Sequence, residues 1–258
     1  MTHPPAAARV LLAAGLSASA LVSAACSVQA PPASRPEHRA SPASSPAGPS
    51  AERSAALTAE QVRAALLTEA DLGEAWVPTR GAATWRDGLL KASTEDTECQ
   101  RLLDVLYTED LFGTPTGPRA TSALDDSGTE AQLRYQVAAH RPADVDRTLD
   151  WLRSLPGRCG EFMAATTRGG VAYVQVSDLP LPEAGDARQA LRVVLGGQTA
   201  DGESAYLTVD VAAVRVGDEA ITLTHGGFGD LAAEVAQTAV RLGAERLTQI
   251  GEQGRADV

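Results

Sequence analysis

Apolar residues repeat along this chain with two periods, and the period changes near residue 119. Before that point they recur every three or four positions, as in Glu98–Tyr107, which predicts helices. From Ala131 to Ala139 apolar and polar residues alternate instead, with Gln132, Arg134 and Gln136 on the polar face. Alternation of this kind predicts a half-buried strand.

The first helix has a defined start. Thr58 and Gln61 form a T-x-x-Q capping box, in which each side chain bonds to the other residue's backbone N–H. We therefore expect a helix that begins at Ala59. A second, shorter helix is expected from Thr68–Asp71, with Gly73 at its end.

A hairpin is expected next. Arg119–Leu124 precedes the alternating strand and is expected to pair with it through the turn Asp125–Gly128. The acidic turn sequence DDSG lacks the spaced ligands of a twelve-residue calcium loop, so a plain hairpin turn is favoured. Later apolar runs predict four more strands: Val171–Val176, Gln189–Leu195, Tyr206–Val216 and Ile221–His225. Gly217-Asp218 suits a type II′ hairpin turn, and Asp201-Gly202 marks the turn before it.

Two longer helices complete the pattern. One is expected from Pro142 to a stop at Pro156-Gly157. The other is expected to start at Asp230 as its N-cap and to run to Ile250, which leaves residues 251–258 as a disordered tail. Helices and hairpins in this order predict a single α+β domain over residues 57–250, with one antiparallel sheet packed against several helices.

The N-terminus predicts export. Residues 1–25 have a basic start, an uncharged apolar stretch and small residues before Cys26, as in a signal peptide. Ser23–Cys26 resembles a bacterial lipobox, although Ser23 stands where an aliphatic residue is usual. We expect a palmitate-type lipid anchor on Cys26 and a location on the outer face of the cell membrane. Ordinary signal-peptidase cleavage, which would leave a secreted protein, stays open.

The cysteine count supports this prediction. An exported protein with three cysteines has one too many for pairing, but lipidation of Cys26 leaves Cys99 and Cys159 for one disulfide. Two unrelated buried thiols are the alternative. Residues 26–56 are rich in Pro, Ser and Ala and cannot form a core, so they predict a disordered tether. A Pro-rich binding site for another protein is the alternative for this segment.

Charge and motif content limit the possible partners. The net charge is −11, which repels nucleic acid and anionic headgroups, so the expected membrane contact is through the lipid anchor alone. Neither a Cys/His ligand set nor an HExxH motif occurs, and we expect no metal and no cofactor. The expected ligand is an envelope small molecule, lipid or glycan, bound by a monomer.

Catalytic motifs are scarce. His140 and His225 are the histidines of the domain, and neither has a recognisable nucleophile or acid partner in sequence. His225-Gly226-Gly227 is similar to the oxyanion loop of esterases but follows a strand near the end of the chain, where a plain strand end is favoured. We predict that the domain is not an enzyme.

Four side chains are candidates for a ligand cleft: Arg192, Tyr206, Asp210 and His225, with Thr208 near them. Asp210 and Arg192 interrupt apolar strands. A position on a solvated face of the sheet is the favoured interpretation for both, and a ligand cleft is the alternative.

Two segments, YQVAAHRPADVDRTLDWLRSLPGRC and VAAVRVGDEAITL, resemble a known family. They are similar to the extracellular sensor domain of the mycobacterial serine/threonine kinase PknH and its lipoprotein relatives. The similarity covers about Leu57–Ile250 and is strongest at Trp151 with Cys159 and at Arg215–Asp218. The resemblance implies a twisted antiparallel sheet with packed helices, a cleft open to solvent and no catalytic role. That family has two disulfides, whereas this domain has cysteines for one.

Three functions therefore compete. The first is a ligand-binding or sensing domain of the bacterial cell envelope, the second is a protein-interaction module in envelope assembly, and the third is a hydrolase. A deep apolar pocket with a few polar groups would favour the first, and a broad exposed apolar patch would favour the second.

Overall fold

The computed structural model describes residues 56–256 except 84, 168 and 199–202. Within them the main element is one antiparallel sheet of nine strands, in the order β1-β3-β4-β9-β8-β7-β6-β5-β2. The strands are β1 (Trp76–Pro78), β2 (Ala92–Ser93), β3 (Arg119–Asp126), β4 (Gln132–Ala139), β5 (Glu161–Thr166), β6 (Val171–Asp178), β7 (Ala187–Gln198), β8 (Ser204–Val216) and β9 (Glu219–Phe228).

Five α-helices and a π-helical segment pack around the described sheet. They are α1 (Ala59–Ala64), α2 (Glu69–Leu72), the π-helical Arg86–Leu90, α3 (Thr97–Thr108), α4 (Pro142–Arg158) and α5 (Ala233–Ala256). The predicted α+β class, with one antiparallel sheet and a long C-terminal helix, is confirmed. In the described part of the chain, no helix combines the length and the apolar character needed to cross a membrane.

The helices divide between the two faces of the sheet. Helix α4 packs on β6, β7 and β8 and against α3, and this side is called the α4 face. Helix α5 packs on β8 and β9, and α1 packs on β3 and β4, and this side is called the α5 face. Because strand side chains alternate, Val209 and Val211 of β8 enter the core under α4, whereas Ala212 and Val214 enter the core under α5.

Several local predictions are confirmed. Helix α1 begins at Ala59, with Thr58 Oγ1 accepting from the backbone N–H of Gln61 at 3.2 Å and Gln61 Oε1 accepting from that of Thr58 at 2.8 Å. The predicted hairpin forms between β3 and β4. Strands β8 and β9 pair across Gly217-Asp218, where Gly217 has a φ of 61°, a conformation that favours glycine.

Three strands were not predicted. Strands β1 and β2 have three and two residues, too few to show a period. Strand β5 has the sequence EFMAAT, in which polar and apolar residues do not alternate. Its pairing with β6, which alternates between buried and exposed side chains, places it in the sheet.

Helix boundaries also differ from the predictions. Helix α4 continues through Pro156 to Arg158, since a proline in the last turn removes only one backbone hydrogen bond. Helix α5 begins at Ala233, so the predicted N-cap at Asp230 is wrong; the Asp230 carboxylate instead accepts a hydrogen bond from the Tyr206 hydroxyl. The tail predicted from residue 251 is helical as far as Ala256.

The predicted disulfide is confirmed. Cys99 lies in α3 and Cys159 follows the last residue of α4, with their Cα atoms 5.5 Å apart. Both residues are buried, so the bridge holds α3 against α4 inside the core under the α4 face.

Other predictions fall outside the described residues. They are the signal peptide at 1–25, the lipid anchor on Cys26, nearly all of the tether at 26–56 and the turn at Asp201-Gly202. These stay predictions.

Candidate ligand-binding cleft

A cleft of about 400 Å³ lies on the α4 face of the sheet, over strands β3, β4 and β9. Helix α4 packs farther along the sheet, on β6, β7 and β8, and leaves this part of the face open. The end of α3 and the residues after it form one wall: Val105, Thr108, Glu109, Asp110 and Leu111. Strands and a helix end together provide a rigid support for the lining side chains.

The floor of the cleft is a ladder of polar side chains that the strand register sets. Thr121 of β3 lies opposite Gln136 of β4, and Gln136 lies opposite Thr222 of β9. The next row holds Arg134 of β4 and Thr224 of β9. Thr121 Oγ1 donates to Gln136 Oε1 at 3.3 Å. The floor therefore offers hydroxyl, amide and guanidinium groups, which include both hydrogen-bond donors and acceptors.

Glu109 joins two arginines at the wall. It ends α3 in the left-handed conformation, with a φ of 57°. Its carboxylate forms ion pairs with Arg86 of the π-helical segment and with Arg134. Arg86 also donates to the backbone carbonyl of Tyr107, whereas Arg134 Nε lies at ion-pair distance from Glu109 without hydrogen-bond alignment. Nε of Arg134 is buried, so a ligand could reach this partly exposed side chain through its two Nη groups.

Arg119 lines the cleft from β3. Its side chain is exposed, and among the residues that the structure describes it forms neither an ion pair nor a hydrogen bond. Arg119 and Arg134 line the cleft together with the carboxylates of Glu109 and Asp110. Arg86 is not part of the lining and pairs with Glu109. The formal charges of the lining are therefore balanced, on a chain with a net charge of −11.

None of the residues that line this cleft was predicted as a site residue, although two of them were placed on a polar strand face. The alternation at 131–139 placed Arg134 and Gln136 on one polar face, and both residues line the cleft. It missed Thr222 and Thr224, although the threonines alternate with apolar residues in ITLT and this signal could have identified them. Glu109 has no local signal, because its contact with Arg134 depends on where the end of α3 meets β4.

The four residues predicted as a possible cleft do not line this one. Arg192, Tyr206, Asp210 and His225 lie on the α5 face, and three of them form a row across β7, β8 and β9. Asp210 is completely buried, so its predicted position on a solvated face is wrong. The physical reason is that α5 and the segment before it cover this part of the sheet.

Arg192 compensates the buried charge of Asp210. The two carboxylate oxygens accept from Arg192 Nε at 2.7 Å and Nη2 at 2.8 Å, a bidentate pair. Arg192 Nη2 also donates to the backbone carbonyl of Leu231 at 3.0 Å. These hydrogen bonds with Asp210 raise the pKa of Arg192. The pair fixes the segment before α5 to the sheet.

His225 has a structural environment. Its ring centroid lies 5.8 Å from that of Trp76, and within the described residues its buried Nδ1 has no hydrogen-bond partner. Burial lowers the pKa of His225 to about 4, so the ring is neutral at pH 7. The following Gly226 packs against Trp85: a Cβ there would lie 2.6 Å from the indole ring. Packing thus accounts for the first glycine of the HGG sequence.

Tyr206 differs from the buried members of this set. Its side chain is 41% exposed, and its hydrogen bond to Asp230 raises its pKa. Thr208, its neighbour on the same face, is buried and donates to the backbone carbonyl of Gly229 at 2.7 Å. Both polar side chains therefore already have protein partners.

Potential metal ligands were compared across the described residues. Asp96, Cys99 and Cys159 are the group whose ligand atoms lie close together. The two sulfur atoms are bonded to each other, and Asp96 caps α3 by accepting from the backbone N–H groups of Glu98 and Cys99 at 2.9 and 3.0 Å. These atoms are already engaged in the fold.

Glu219, at the start of β9, is a buried carboxyl group away from the cleft. Its Oε2 has no hydrogen-bond partner in the described residues, and the backbone of Leu57 provides one hydrogen bond to the group. Burial raises the pKa of Glu219 to about 7, against an ordinary value of 4.5. The folded state therefore binds this proton more tightly than the unfolded state does.

Glu219→Gln is expected to remove a pH dependence of stability. The raised pKa of Glu219 contributes to the stability of the folded wild type. This contribution is fully present below about pH 4.5 and is lost as the pH rises through about 7. The variant stays neutral, so its free energy of unfolding should gain about 2–3 kcal/mol relative to the wild type between pH 4.5 and pH 8. Urea titrations at several pH values measure this gain. Glu252→Gln, on an exposed position of α5, is the control, and an equal pH profile for both variants would contradict the prediction.

Comparison with known proteins gives distant structural likenesses. No protein-family model matches this sequence, and no curated protein matches it. Solved structures similar to this chain include the extracellular domain of PknH from Mycobacterium tuberculosis, which is 12% identical, with coverage of 76% of this chain and 97% of that chain and a TM-score of 0.44. A mutant of the protein Mog1 is 9% identical, and the match covers 53% of this chain and 77% of that chain with a TM-score of 0.23. The Saccharomyces cerevisiae Ran-binding protein Mog1p is 10% identical, and the match covers 53% of this chain and 76% of that chain with a TM-score of 0.22. The relation to the PknH extracellular domain is thus a distant structural one.

Proposed function

We propose that this chain is an exported, non-catalytic ligand-binding or sensing domain of the bacterial cell envelope, with the cleft over β3, β4 and β9 as its ligand site. The observation that carries the proposal is the ladder of polar side chains on the cleft floor, in which Gln136 lies between Thr121 and Thr222. Small-molecule sites are usually concave and measure a few hundred Å³, and their polar groups fix the orientation of the ligand.

Export is supported by the disulfide. A bridge between Cys99 and Cys159 persists in oxidising compartments and is rare in the reducing cytosol. Anchoring through Cys26 and the tether at 26–56 is the part of the proposal that rests on sequence alone. A tethered domain outside the membrane would meet diffusing envelope lipids, glycans and peptidoglycan fragments.

The non-catalytic role is supported by the position of the two histidines of the domain. His225 packs against Trp76 on the α5 face, on the other side of the sheet from the cleft. His140 packs against Phe112, and burial lowers its pKa. A general base must reach the group that it deprotonates, and both rings are held by packing instead.

Thr121→Trp is expected to abolish ligand binding. Thr121 is an exposed strand residue in the middle of the cleft floor, so the indole of a tryptophan there would fill the cleft. Tryptophan is well tolerated in strands, so the sheet should be retained. In a thermal-shift screen of envelope lipids, glycans and peptidoglycan fragments, a ligand at 100 times its Kd should stabilise the wild type by about 2.7 kcal/mol. The variant should show no shift with that ligand.

Gln175→Trp is the matched control, since Gln175 is an exposed strand residue on the α5 face of β6. It should keep the full shift. A shift that survives in Thr121→Trp would place the ligand elsewhere. Turnover of an ester, glycoside or peptide that disappears in a folded His225→Ala variant would favour an enzyme over a binding protein.

A further inference from the structure

We infer that the ligand of the cleft is an anion that carries carboxylate or phosphate groups, an inference that rests on the proposed function of the cleft. The cleft presents two guanidinium groups, Arg119 and Arg134, whose Nη donors have no hydrogen-bond partner within the described residues, on a chain with a net charge of −11. Guanidinium groups bind carboxylate and phosphate oxygens through paired hydrogen bonds, which neutral ligands do not reproduce.

The two arginines differ in their acidic partners. Within the described residues Arg119 has no acidic partner, although it lines a cleft that also contains Asp110. Arg134 has one acidic partner, Glu109, and that contact lacks hydrogen-bond alignment at Nε. A guanidinium group has five N–H donors, so both side chains can donate hydrogen bonds to a further anionic group.

The carboxylate of Glu109 in the cleft wall is offset by two arginines. Glu109 lies between Arg86 and Arg134, and the left-handed conformation at the end of α3 positions it there. Arg86 donates to Glu109 and to the Tyr107 carbonyl and has little exposed surface. Arg86 and Arg134 together therefore offset the charge of Glu109, and the Nη groups of Arg134 stay available for a ligand.

The two arginines lie apart along the cleft, with polar side chains between them. Arg119 is four residues from Ala123, which lies directly opposite Arg134 in the register of β3 and β4. Four strand residues correspond to about 14 Å between the two positions. Thr121 and Gln136 lie between them. The arrangement fits an elongated ligand with an anionic group at one or both ends and hydroxyl or amide groups in its middle.

The long-range electrostatic field of the whole chain does not favour an anionic ligand. A net charge of −11 gives a long-range field that repels anions, so a general attraction does not concentrate them at this protein. Recognition must therefore come from close contacts with Arg119 and Arg134. Such contacts weaken as salt is added, because the cleft opens to solvent and its charges are screened.

The test uses citrate and inorganic phosphate as probes, with the neutral polyol sorbitol for comparison, on the purified chain by isothermal titration calorimetry. Citrate or phosphate should bind the wild type, sorbitol should not, and added NaCl should weaken the binding. Arg119→Gln should weaken it about tenfold or more, because it removes a charged hydrogen-bond donor. Arg119 has no partner in the described fold, so this variant should keep the wild-type melting temperature.

Two variants separate the possible failures. Arg147→Gln, at an exposed position of α4, is the matched control and should bind like the wild type. If Thr121→Trp abolishes binding but Arg119→Gln does not weaken it, the cleft is the site and the proposed anion recognition is wrong. If Thr121→Trp has no effect, the cleft itself is wrong. Absence of saturable binding of either anion at up to about 10 mM would also overturn the inference.

Discussion

Arg192→Met is expected to lower the free energy of unfolding by about 3 kcal/mol, since it leaves a buried carboxylate without a counter-charge. Asp210 has no exposed surface, whereas the side chain of Arg192 is 26% exposed. The variant loses both hydrogen bonds to Asp210 and the bond to the Leu231 carbonyl. Urea denaturation at pH 7 measures the loss.

A double variant separates charge from packing. Arg192→Met with Asp210→Leu removes both members of the pair, and replacement of a buried ion pair by apolar side chains is often close to neutral. It should therefore recover most of the stability that the single variant loses. Arg241→Met breaks an exposed pair with Glu245 on α5 and should cost less than about 1 kcal/mol. A loss for Arg192→Met as small as that for Arg241→Met would contradict the prediction.

Reduction of the disulfide between Cys99 and Cys159 is expected to lower the free energy of unfolding by about 4 kcal/mol. The two cysteines are 60 residues apart, so the bridge closes a long loop in the unfolded chain. Its removal returns conformational entropy to the unfolded state. Urea titrations with and without a reducing agent measure the difference, in a Cys26→Ala background that leaves only the bridge to react.

Thiol counting provides the independent check. The unreduced, unfolded Cys26→Ala protein should show no free thiol, and the reduced protein should show two. Labelling of both Cys99 and Cys159 before reduction would contradict the predicted bridge. Equal stability of the reduced and oxidised proteins would contradict the expected energetic effect.

The candidate cleft shows which parts of a surface can be predicted from sequence. The alternation at 131–139 identified Arg134 and Gln136 as members of one polar face, because the side-chain period of a strand is local. It could not indicate that Glu109 and Arg86 would meet Arg134, since these contacts join the end of a helix, a π-helical segment and a strand. The spacing between Arg119 and Arg134 likewise depends on the register of β3 against β4.

Asp210 shows most clearly what the period of a strand does not determine. Its position in an apolar strand predicted that it would share a face with Tyr206 and Thr208, which the register agrees with. A period of two indicates which residues lie together, but it does not indicate whether another element covers them. Here Arg192 and the segment before α5 bury the carboxylate, so a residue expected at the surface lies in the core.

The sequence by itself determined the features that depend on neighbouring residues or on residue counts. These are the start of α1 at its capping box, the alternation of β4, the hairpin turn at Gly217-Asp218 and the pairing of the two cysteines in the domain. The tertiary structure decided which parts of the sheet the helices cover. Helix α4 packs away from β3, β4 and β9, and this leaves a polar cleft on one face, while α5 buries the charged row on the other. The reason is that capping and alternation act over a few residues, whereas burial depends on elements that meet from distant parts of the chain.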